Sequence, residues 1–165
     1  MIKSAESAVG SKGNGGVVTI ECVANILERE LQTIIQEWLI RVEKESDLTS
    51  ISMNHEDRTG HLSHLMHDVI SRLRIDADTK APISKAAAEH GDLRRKQGYT
   101  VAMTVEESRL LQVTIFTVLH NNVTQLEFST LLPDVVTIAD EVDAQLKEQM
   151  LRFMAADAAE KGKGK

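Results

Sequence analysis

The stretch His90–Asn122, HGDLRRKQGYTVAMTVEESRLLQVTIFTVLHNN, decides how the chain is read. It opens with His90, Arg94 and Gln97, which at i, i+4 and i+7 share one side of a helix. Ile83, Ala86 and Ala87 fall on that same side, so the polar group points toward the interior or toward an interface. Gly98 then marks a C-cap or hinge. The next segment is apolar almost all the way round, as a helix at the centre of a fold is, yet it carries Glu106, Glu107 and Arg109. Charged groups in such a place need partners. A bidentate pair between Arg94 and a carboxylate, with His90 and Gln97 as further donors or acceptors, is the simplest way to satisfy them. The expected network is His90, Arg94, Gln97, Gly98, Glu106, Glu107 and Arg109. It is either a polar lock that fixes the register of two helices, or a pocket or interface that recognises a small ligand or switches.

Outward from this stretch the periodicity is helical throughout. A first helix is expected from about Thr19 to Glu45, with Trp38 as a core anchor or a dimer contact. A second runs from Asn54, a good N-cap followed by Glu56 and Asp57, to about Arg74. A third starts at Pro82 or Ile83 and ends near Lys96. A fourth covers Thr100–Asn121. A fifth begins near Ser129 or Leu131, with Pro133 in its first turn, and runs through Phe153. About five helices with short connections give an all-α fold with orthogonal or bundle-like packing, a globin-related arrangement among the solutions. The domain is expected over residues 17–154. Residues 1–16 read as a flexible arm ending in GSKGNGG, and residues 155–165 as a flexible basic tail with Lys161, Lys163 and Lys165.

The totals agree. With 165 residues the chain is one domain, long enough to bury a core without staples. Aromatics are only 3%, so aliphatic residues and Met must build that core. A net charge of −6 argues against nucleic acid as the main partner, since phosphate binding needs clustered Lys and Arg. No apolar run approaches the ~18 residues of a membrane span, and no signal peptide is evident. Cys22 is the one cysteine; its expected state is a buried, inert thiol, compatible with a reducing cytoplasm.

Other chemistries have thinner support. Four of the six histidines, His55, His61, His64 and His67, lie on the second helix. There His61, His64 and Asp68 share an outer face at a spacing that can bind a divalent transition metal, but they lack a fourth ligand and supporting partners. A solvated histidine-rich face is the plainer reading, and a pH-sensing site stands beside the metal as the alternative. His90 or His120 as a haem ligand is a minor reading, because no aromatic-rich pocket is evident. The sequence around His90 does not match a phosphoacceptor box, and GNGG lacks the Lys-Ser/Thr of a phosphate loop. No base, nucleophile and orienting group converge. No catalytic residue and no cofactor are therefore expected.

One set of residues resembles a known family. His90-x3-Arg94-x2-Gln97-Gly98-Tyr99, followed by Glu107 and Leu110-Leu111, resembles the RsbRD N-terminal type of domain, named after stressosome co-antagonist proteins and related to input domains of bacterial histidine kinases. Arg58-x2-His61-Leu62-x2-Leu65-Met66 and Trp38 on a long first helix extend the likeness, which covers roughly residues 20–150. Gln112 departs from it, standing where a basic residue is expected. The resemblance implies a helical, globin-related or bundle-like fold. It also implies a cytoplasmic, homodimeric, non-catalytic input domain that acts in stress signalling on a partner kinase or regulator. No kinase, anti-sigma-antagonist or DNA-binding domain follows the fifth helix. The chain thus reads as an input domain cut from a longer protein or as a stand-alone regulator.

Overall fold

The computed structural model describes residues 19–76 and 79–163, with side chains through residue 159; the expected arm over 1–16 and the last residues of the basic tail lie outside the described residues. The fold is all-α. The helices are α1 (Val23–Arg29), α2 (Leu31–Val42), α3 (Ser46–Thr49), α4 (His55–Thr59), α5 (Leu62–Leu73), α6 (Lys85–Lys96), α7 (Val101–Asn121) and α8 (Phe128–Lys163), with a 3₁₀ turn at Val123–Gln125. There are more segments than the five expected, because two of the expected helices are interrupted and a short helix, α3, forms in the segment from Ser46 that reads as a loop. Glu30, with φ −91° and ψ 9°, loosens the first while Ile34 N–H still reaches Glu30 O at 2.9 Å. Gly60 and His61 separate α4 from α5.

Side-chain caps set the starts of α4, α6 and α7. Asn54 accepts from Asp57 N–H at 2.7 Å and caps α4. Ser84, two residues after Pro82, accepts from Ala87 N–H at 3.0 Å and starts α6 slightly later than expected. Thr100 accepts from Met103 N–H at 3.2 Å and starts α7. At the other end, α8 runs on to Lys163 where a flexible tail from residue 155 was expected. The run Ala155-Ala156-Asp157-Ala158-Ala159 is made of mostly strong helix formers, and Arg95 holds Asp157 at 2.8 Å.

The core gathers Val23, Ile26, Leu27, Ile34, Trp38, Val42, Met66, Val69, Ile115, Val118 and Ile138. α2 lies along α7, while α5 and α6 lie along α8. Glu21 and Leu126 pair as a single parallel bridge, with Glu21 N–H on Gln125 O at 2.7 Å, which ties the start of α1 to the approach to α8. Two expectations need correction. α7 is buried along one side only, and Val101, Val105 and Val113 are exposed on it; it packs chiefly against α1, α2 and α8. Cys22 is exposed, because it precedes the first turn of α1.

α6 meets α8 at backbone range. A side chain at Gly91 would place its Cβ 2.6 Å from Gln149 O, so only glycine permits this approach. The position of α6 is thereby tied to that of α8, and α6 carries the polar group of the opening stretch.

Candidate functional site

The centre of the site is the carboxylate of Glu107, 3% exposed on α7. Arg94, 1% exposed on α6, donates from Nε to Oε2 at 2.8 Å. His90 Nε2 lies 3.4 Å from the same oxygen. Tyr99 donates its hydroxyl to Oε1 at 2.7 Å. The rest of the Arg94 guanidinium spreads over the end of α6 and over α4. It reaches Gln97 Oε1 at 2.8 Å, Asp57 O at 3.2 Å and Arg58 O at 2.6 Å. Asp57 and Arg58 lie in the last turn of α4, whose final carbonyls have no partner within the helix. Arg94 therefore caps α4 while it pairs with α7. Its guanidinium carbon also stands 4.9 Å from the Tyr99 ring centroid.

Gly98 is what brings Tyr99 into place. After Gln97 the chain turns through Gly98 at φ +89°. Gly98 N–H bonds Arg95 O and Tyr99 N–H bonds Arg94 O, both at 3.0 Å, the paired bonds of a Schellman motif. This turn folds Tyr99 back under α6, where its ring is buried. Arg58, also buried, donates to the Tyr99 hydroxyl at 3.0 Å, to Ile51 O at 2.9 Å and to Leu48 O at 3.3 Å. Arg94 alone pairs with the carboxylate; Arg58 reaches it only through the Tyr99 hydroxyl, and main-chain carbonyls absorb the remaining donors of both. Trp38 donates from Nε1 to Glu107 O at 3.2 Å, which makes it a core anchor.

The electrostatics follow from these contacts. Burial pushes the Glu107 carboxyl up, but the hydrogen bond from His90 and the charge of Arg94 outweigh it and hold it below the usual range. Burial, then the neighbouring Glu107 charge, pushes the Tyr99 hydroxyl well above its ordinary value, so it stays a proton donor. His61 meets the edge of the His90 ring, with centroids 5.7 Å apart. Burial, then the charges of His90 and Arg94, hold the His61 ring below its ordinary value. Among the described residues His90 Nδ1 has no hydrogen-bond partner. His90 and Glu107 line a small space of about 20 Å³, together with Trp38, Ser108, Gln145 and Gln149, which is the size of one water.

His90, Arg94, Gln97, Gly98 and Glu107 form one assembly, as their spacing implied. Glu106 and Arg109 do not join it. They face solvent and pair with each other, Arg109 Nε on Glu106 Oε2 at 2.9 Å. The reason is angular: Glu107 occupies the buried side of α7, and its neighbour at 106 and the residue two further on point away. Arg58, Tyr99 and Trp38 were missed as members. A signal for Tyr99 existed, since a buried tyrosine directly after a helix-ending glycine needs a hydroxyl partner.

The metal candidates are not brought together. His61 turns toward His90, His64 is exposed, and Asp68 accepts from Ser84 Oγ at 2.5 Å. No three His, Cys, Asp or Glu among the described residues are placed to hold a metal ion. His120 is exposed, and Asn122 caps the end of α7. Among the described residues no helix is long and apolar enough to cross a membrane.

The chain matches no family model, no curated protein and no solved structure at a significant level.

Proposed function

We propose that this chain is a non-catalytic signalling input domain of bacterial type that dimerises and relays a conformational signal to a histidine kinase or other regulator. One observation carries the reading: a buried ionic lock joins α4, α6 and α7, and its arginine sits on the helix that touches α8 at backbone range. Arg94 has a defined place only while α4 presents its carbonyls and α7 its carboxylate. A perturbation at α4 or at the histidine pair shifts α6, and α8 must follow. Such an element has discrete arrangements rather than a continuum, which is what a relay requires. The groups around Glu107 suit this role better than catalysis, because the one acid is tied by three donors.

The dimer reading places a second copy against α8. Phe128, Leu132 and Val136 are exposed at four-residue steps, and 68%, 75% and 67% of their surfaces are open. A stripe of this kind on one helix meets its own copy across a two-fold axis. Light scattering over a dilution series tests it: the intact chain should run as a dimer and Leu132→Asp as a monomer. A monomeric intact chain at high concentration removes the reading. Hydrogen exchange tests the relay. Arg94→Lys, which keeps the charge and loses the fork, should speed exchange in α6 and in the Gln145–Asp157 part of α8. Faster exchange confined to α4 would show that the lock is local.

A further inference from the structure

Away from the lock, the segment from Lys80 to Ser84 runs over two hollows of about 250 Å³ and about 360 Å³. Apolar side chains make up much of their walls, Ile75, Pro82 and Ile83 in the first and Pro82, Ile83, Ala144 and Leu151 in the second. Asp68, Arg72 and Lys85 line the first as well, and Lys80, Lys147 and Glu148 the second. Glu141, on α8, lines both hollows and is itself only 6% exposed. Among the described residues its carboxylate has one hydrogen-bond partner, Gln145 Nε2, which reaches Oε1 at 3.2 Å and also serves Leu65 O at 3.0 Å. The second oxygen has none.

We propose that this cleft binds a small aliphatic ammonium ion, with Glu141 taking the ammonium and the apolar walls taking the alkyl chain. The polar anchor and the apolar lining are the usual makings of a small-molecule site. An anionic ligand is disfavoured by the carboxylate. A divalent metal lacks ligands, because Asp68, the other acid of the first hollow, is engaged by Ser84. Arg72 lines the first hollow and acts on Glu141 through its charge, but makes no ion pair with it among the described residues. An ammonium ion with three donors can give the open oxygen the hydrogen bond it lacks. Burial, more than any neighbour, pushes the Glu141 carboxyl above its usual range, as it does at sites kept for a ligand rather than for stability. The inference is independent of the dimer and relay reading.

Calorimetric titration of the full chain at pH 8 with n-butylammonium chloride tests it, with n-butanol and sodium butyrate as comparisons. Saturable binding of butylammonium alone is expected, at about millimolar strength. Glu141→Gln should weaken it by about tenfold or more, while a cooperative melt confirms that the variant folds. Arg72→Ala should bind as tightly as the parent or more so, since it removes a competing cation. The proposal is overturned by absent or non-saturable binding, by equal binding of butanol, by unchanged affinity in Glu141→Gln, or by weaker binding in Arg72→Ala.

Discussion

Glu107 and Glu141 expose similarly little surface, 3% and 6%, on neighbouring helices, but one is packed in the core and the other faces a cleft. Glu107 meets Arg94, Tyr99 and His90, and its carboxyl is held below the usual range. Glu141 meets one amide and a cleft of apolar and charged side chains, and its carboxyl is pushed above the range, chiefly by burial. Burial acts on both in the same direction, so their partners decide which way each carboxyl shifts. A fully partnered charge specifies how helices sit together. A charge left short of partners costs stability and is better suited to meeting a ligand.

The contrast breaks most sharply at Arg94. Arg94→Ala leaves Glu107 buried without its cation and strips the cap from α4, so a loss of about 3–5 kcal/mol is expected in urea unfolding. A loss below about 1 kcal/mol would mean that water reaches Glu107 and that the lock is not sealed. Replacing both partners with apolar residues, Arg94→Met with Glu107→Leu, should cost less than Arg94→Ala alone, because no orphan charge remains. Gly91→Ala comes next. Its Cβ meets Gln149 backbone, which cannot swing aside, and the overpacking should cost about 1–3 kcal/mol. An unperturbed Gly91→Ala protein would show that α6 and α8 are free to separate.

Acid should weaken the lock in two stages. The folded His61 ring sits below its ordinary value, so the unfolded chain takes up the proton first. Stability should therefore fall as pH drops through the ordinary histidine range, and His61→Phe should remove that part of the slope. Glu107 is also depressed, so its contribution is present above the ordinary carboxylate range and is lost as pH falls further. Glu141 has the opposite sign. Its raised carboxyl adds stability only at low pH and loses it as pH rises through the folded value. Glu141→Gln should then raise the stability measured at pH 7 by about 0.5–1 kcal/mol, with the gain shrinking toward pH 4. A loss at pH 7 would place Glu141 among the partnered charges and erase the contrast.

The sequence carried the first half of this contrast and concealed the second. His90, Arg94 and Gln97 announce themselves because a polar face beside alanines at helical spacing has no solvent to meet. Gly98 announces the turn. Tyr99 and Arg58 join through that turn and through the short helix α4, so their convergence depends on tertiary placement that periodicity does not encode. Glu141 gave no signal: it sits amid Asp140 and Asp143, and a run of acids on a long helix reads as a solvated face. Only the packing of α5 and α6 against α8 buries it. The interruptions at Glu30 and Gly60 were likewise hidden beneath continuous apolar spacing.

The smallest expected effect lies at Glu106 and Arg109, adjacent in sequence to the lock and expected within it. Their ion pair is as well formed in distance as that of Arg94 and Glu107, 2.9 Å against 2.8 Å. What differs is the medium. The Glu106 and Arg109 side chains are 32% and 55% exposed, so water screens the attraction and competes for both groups. Each pulls the other away from its ordinary value, Glu106 down and Arg109 up, mainly through their shared hydrogen bond. Even so, Glu106→Gln and Arg109→Gln, singly or together, should leave the thermal midpoint where it is, and adding salt should not separate them from the parent. A destabilisation approaching that of Arg94→Ala would require this face of α7 to be covered, as it would be if Val105 and Val113 on that helix were packed against a second chain.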